Sequence, residues 1–126
     1  MRHIFCPIVM VCLSLSSWVN AEESVPMEVL RQSKRIVFLG DSITAAGRYV
    51  ACVDAWLESV PLEPKPLVID AGLSSETVSG LSEDGHAGGR FPRPDLHERL
   101  ERILKATKPD LVIACYGINC GIYEPF

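Results

Sequence analysis

The sequence is short of the features that commit a chain to a special class. It has no internal repeat and no low-complexity tract, so its 126 residues frame one domain at most. Positive charge is scarce: 12 basic side chains face 16 acidic ones, for a net charge of −4. That balance argues against nucleic acid or any other polyanion as a partner, and against a basic membrane-binding surface. No apolar run is long enough to cross a bilayer; the N-terminal one, Ile4 to Leu15, is too short. Cys115, Cys120 and His86 match no common zinc spacing, so no metal is expected, and no residue pattern calls for a cofactor.

What is present begins with a leader. Arg2 and His3 precede the apolar run, and Val19-Asn20-Ala21 offers small residues where a signal peptidase reads. Residues 1–21 therefore read as a secretory signal peptide, which implies a secreted or periplasmic product with no stable membrane insertion after cleavage. Without Arg2 the net charge becomes −5. Residues 22–33 form a polar lead-in, and the folded domain is expected over 34–126. Three cysteines lie beyond the leader, and an odd number cannot all pair within one chain. Cys52 and Cys115 sit in helical and apolar surroundings and read as buried small hydrophobes. A Cys115–Cys120 disulfide is the alternative in an oxidising compartment.

The apolar pattern gives the architecture. "RIVFLG" (35–40), "LVIDAG" (67–72) and the run from Leu111 to Tyr116 are mostly apolar stretches, each closed by glycine. Such runs read as buried strands of a parallel sheet. Tyr49, Val50, Val53, Trp56, Leu57 and Val60 recur at helical spacing, predicting one amphipathic helix over 44–60, stopped by the prolines of "PLEPKP". "LSSETVSGL" allows a short helix capped by Ser74 or Ser75. Residues 82–94 predict a long surface loop, and Asp95 caps a helix whose apolar face is Leu96, Leu100, Ile103 and Leu104. Strands alternating with helices give an α/β fold with a parallel sheet, whose ligands bind at the C-terminal strand ends.

Those ends are "GDS", "DAG" and "YGIN". Asp41, Ser42 and Thr44 are all good helix caps, so capping is one reading of the first. The other is that Ser42 is a nucleophile, exposed between a strand and a helix N-terminus and needing a base to take its proton. A phosphate-binding loop is excluded, because Gly40 and Gly47 are too far apart and Arg48 stands where lysine is needed. A phosphotransfer aspartate at Asp41 fits poorly, because Ile43 replaces the acidic residue that helps hold magnesium. Gly72 can offer a backbone N–H and Asn119 a side-chain N–H, the donors that an oxyanion requires.

Together "GDSIT" (40–44), the block around Gly72 and "YGIN" (116–119) resemble the first three blocks of the SGNH hydrolases, also called GDSL esterases and lipases. The resemblance spans about Lys34 to Gly121 and implies a three-layer, flavodoxin-like parallel sheet cut after its third strand. It implies Ser42 as nucleophile and first oxyanion donor, Gly72 and Asn119 as further donors, and Asp41 in support. The expected substrates are carboxylic esters of carbohydrate or lipid. The family's base lies in a D-x-x-H block, and this chain has none. His97 reads as a solvated helix residue and His86 as a loop residue; neither takes the base role. Asp70 stands where the family has asparagine, and Cys120 where it has aspartate. The expectation is therefore the N-terminal part of an esterase domain, weak or inactive alone, with a non-catalytic small-ligand binder as the alternative.

Overall fold

The computed structural model describes residues 25–123; the leader, residues 22–24 and the last three residues lie outside the described residues. Three strands form one parallel sheet: β1 (Arg35–Gly40), β2 (Leu67–Gly72) and β3 (Leu111–Cys115), in the order β2-β1-β3. The register sets Gly40 beside Gly72 on one side and beside Cys115 on the other. The three C-terminal strand ends are thus level on one edge of the sheet.

Four helices flank the sheet among the described residues: α1 (Val25–Gln32), α2 (Ser42–Ala45), α3 (Arg48–Ser59) and α4 (Leu96–Thr107). Side chains of a strand alternate between faces, so β1 feeds two cores. Ile36 and Phe38 pack with Val50, Leu57 and Leu62, backed by Leu30 of α1. Val37 and Leu39 pack with Leu96 on the other face, backed by Leu100 and Ile103 of α4. The fold is α/β with helices on both faces of a parallel sheet, compatible with a flavodoxin-like arrangement.

Both long helices end for identifiable reasons. Lys65 brings its Nζ to the carbonyls of Leu57, Glu58 and Val60, adding a cationic donor at the C-terminal end of α3. Asp95 accepts the His97 N–H at 2.9 Å and caps α4 as its sequence suggests.

Several expectations are corrected. The helix over 44–60 is two helices, because Gly47 adopts a left-handed φ of 71° between them. Trp56 lies on the exposed side of α3. "LSSETVSGL" forms no helix. Thr77 instead bridges to Asp95, with its N–H on the Pro94 carbonyl and the Leu96 N–H on its own carbonyl. That tertiary pairing takes the backbone groups that a local helix would use. Only β1 is buried, from Ile36 to Gly40; β2 and β3 are partly exposed because each has a single strand neighbour. β3 ends at Cys115, one residue early. Cys52 and Cys115 are exposed, not buried, and Cys52, Cys115 and Cys120 are all free thiols.

Candidate active site at the strand ends

Ser42 follows the buried strand by two residues. The helix cap is Asp41, 2% exposed, whose Oδ1 accepts the Ile43 N–H at 3.0 Å. Capping is therefore done by the aspartate. Ser42 is exposed, and its hydroxyl has no hydrogen-bond partner among the described residues. Thr44, the third candidate cap, is fully buried and bonds the Tyr49 hydroxyl at 2.8 Å. Helix α2 is a single turn, so the dipole field expected at Ser42 is small. Gly40 is required here: a Cβ would stand 1.8 Å from Thr44 Oγ1 and 2.8 Å from the Cys115 carbonyl. Beside Ser42 lies an open cleft of about 400 Å³, lined also by Ile43, Ala46, Arg48 and Tyr49.

Gly72 touches the same turn. A Cβ on it would come within 2.2 Å of the Ala45 nitrogen, so glycine lets α2 rest on the end of β2. Its N–H donates to Asp70 Oδ1 at 2.8 Å and is occupied in this conformation. The next loop holds Ser75 at a φ of 68°, rare for a residue with a side chain. The Ser75 N–H has no partner among the described residues. A strained residue with a free donor at a strand-end edge is a mark of functional sites; the sequence reading considered Ser75 only as a helix cap.

Asn119 is held on both sides of its amide. Nδ2 donates to the Glu76 carbonyl at 3.0 Å, and Oδ1 accepts from Arg93 Nη1 at 3.2 Å. The carboxylate of Glu76, fully buried, lies against the Arg99 guanidinium through Nε and through Nη2 at 2.6 Å. The Tyr116 hydroxyl donates to the same carboxylate at 2.5 Å, and Arg99 reaches the Ala71 carbonyl at 2.9 Å. This cluster ties the ends of β2 and β3 to α4. Burial pushes the Tyr116 hydroxyl well above the usual tyrosine value, and its bond to Glu76 adds to the shift. The Glu76 carboxylate likewise holds Arg99 above its ordinary value, against the opposing effect of burial.

Cys120 has an acceptor's place. Its Sγ takes the Val78 N–H at 3.1 Å. Burial pushes the thiol up, but hydrogen bonds from Ser79 and Val78 outweigh it and hold the group below the usual cysteine value. The sulfur thus acts as an acceptor for the 78–79 turn.

Neither histidine joins Ser42. His97 is exposed and bonds the Val78 carbonyl at 3.1 Å. His86 Nδ1 lies 3.2 Å from Glu83 Oε1, with its ring edge-on to Phe91. A carboxylate-oriented imidazole has the form of a catalytic base. It lines a different open cavity, of about 310 Å³, with Ser82, Asp84, Arg90 and Phe91 but not Ser42.

Glu76 and Arg93 are the polar residues that the sequence reading missed. A buried, paired glutamate has no signature in a polar loop. For Arg93 a signal existed: it sits between Pro92 and Pro94, whose rings limit the freedom of the backbone that carries it. Among the described residues no three His, Cys, Asp or Glu side chains gather as a metal site would need. No helix among them is long and apolar enough to cross a membrane. Comparison with known protein families, with curated proteins and with solved structures finds no match to this chain.

Proposed function

We propose that the chain carries the nucleophile and the oxyanion donors of a secreted serine esterase of the SGNH, or GDSL, type. Ser42 Oγ attacks the carbonyl carbon of a carboxylic ester from carbohydrate or lipid, and the alcohol leaves from a tetrahedral intermediate. Water then attacks the acyl-serine and frees the acid. The Asn119 amide and backbone N–H groups at the strand ends are the donors for the oxyanion. Gly72 serves only if Asp70 releases its N–H; the free Ser75 N–H is the readier donor from that loop.

One observation carries the reading most directly. Asp41 takes the structural task of the "GDSIT" turn, and the Ser42 hydroxyl is left exposed without one. No described histidine takes its proton, so turnover is weak or absent. Loss of a triad member removes about 10⁴-fold or more of the rate in the best-studied hydrolases.

A fluorophosphonate probe tests the activation of Ser42. The expected result is slow labelling of the folded protein and none of Ser42→Ala. Equal labelling of the two, or no labelling of a protein shown to be folded, sinks the esterase reading. The second reading is a small-ligand binder without turnover. It is favoured by the Gly72–Asp70 bond and the distant His86. Saturable binding of a phenylboronate with no ester hydrolysis above background would select it.

A further inference from the structure

We propose that Arg93 is the positioning residue for Asn119, setting which end of its amide faces the open strand-end edge. The inference rests on the esterase reading for its consequence, but its geometry is independent of it. The Arg93 side chain is only 12% exposed. Its Nε donates to Glu83 Oε2 at 2.7 Å and its Nη2 to Glu83 Oε1 at 2.9 Å, a bidentate pair that fixes the plane of the guanidinium. Its backbone N–H is also held, by Ser82 Oγ at 2.9 Å. From that clamp Nη1 reaches Asn119 Oδ1.

An asparagine amide has an acceptor end and a donor end of nearly the same shape. Here the two neighbours make them unequal. A guanidinium donates only, and the Glu76 carbonyl accepts only. Turning the amide over would set N–H against N–H on one side and oxygen against oxygen on the other. Arg93 and Glu76 together therefore select one orientation, in which Nδ2 keeps its second N–H free of protein partners among the described residues. The positive charge against Oδ1 also withdraws electrons from the amide and strengthens that N–H as a donor. A backbone carbonyl alone would leave the amide one bond to pivot on. The loop 82–94 is thus the support of the donor that Ser42 needs, and Glu83 is the anchor of that support.

The test uses the purified chain with ¹⁵N label. The Asn119 side-chain amide pair is assigned by its loss in Asn119→Asp. In Arg93→Met the pair should move and its protons should exchange with water about tenfold faster, since one of two anchoring bonds is gone. Arg93→Lys, which keeps a charged donor, should recover part of the protection. Fluorophosphonate labelling of Ser42 should fall by about tenfold to a hundredfold in Arg93→Met, the scale on which small misplacements of a reacting group act. An unmoved amide pair in folded Arg93→Met overturns the proposal. A moved pair with unchanged labelling overturns its link to the oxyanion. A wild-type chain that does not label sinks the esterase reading instead, while the amide signal still decides whether Arg93 positions Asn119. If Arg93→Met does not fold, Glu83→Gln, which weakens the clamp at a partly exposed carboxylate, is read in the same way.

Discussion

Strands β1 and β3 are written in nearly the same residues and live in different surroundings. "IVFL" in β1 is sealed by helices on both faces, with Ile36 and Val37 at 0% exposure. "LVIAC" in β3 pairs with β1 on one edge, yet Val112 is 39% exposed and Ala114 and Cys115 lie open. Helix α4 explains the difference: it lies over Val37, Leu39 and Ile69, and Leu104 on its flank is itself exposed. An apolar run reports that a strand forms; the strand's rank in the sheet decides how much of it is covered.

The sharpest way to break this comparison is to truncate both strands. Phe38→Ala should cost about 3–5 kcal/mol, the range for emptying a packed aromatic site. Val112→Ala should cost under about 1 kcal/mol, as expected for a half-open strand position. Urea denaturation measures both. A similar loss at the two sites would mean that the open face of β3 is covered in solution.

Next in size is the polar cluster that pins the end of β3. Glu76→Gln leaves Arg99 without its counter-charge in a buried setting and should cost about 3 kcal/mol. The loss should be uneven. Amide hydrogen exchange should quicken in residues 111–116 before residues 36–40, because the Tyr116 bond to Glu76 holds the first strand and not the second. Uniform quickening would mean that the cluster supports the whole sheet alike.

The smallest effect is in alkali. The Tyr116 hydroxyl is raised in the folded state above its ordinary value of 10.0, by burial first and by Glu76 second. Its contribution is therefore complete below pH 10 and declines as the pH rises beyond it, because the unfolded chain loses that proton more readily. Tyr116→Phe should show a shallower fall of the denaturation midpoint above pH 10 than the parent. An identical fall in both would assign the alkaline loss to other groups.

The three strands were legible because period and glycine punctuation are local: β1 and β2 match their expected bounds and β3 ends one residue early. The helix capped by Asp95 was legible for the same reason. The break at Gly47 was signalled by the glycine itself, which the helical spacing of Tyr49 to Val60 outweighed. The bridge of Thr77 to Asp95 joins residues 18 apart in sequence and has no local sign. At the site, the motif drew attention to Ser42 but left three capping residues unresolved in "DSIT".

The sequence by itself determined an α/β order of elements and a serine beside a strand end. These follow from residue type and spacing along the chain. Tertiary structure alone decided that Arg93 and Glu76 grip Asn119 from opposite sides, and that the Glu76 carboxylate meets Arg99 and Tyr116. Hydrogen bonds between distant residues depend on which groups the packed helices bring within about 3 Å of each other. That distance is a property of the sheet and its layers, and no local pattern contains it.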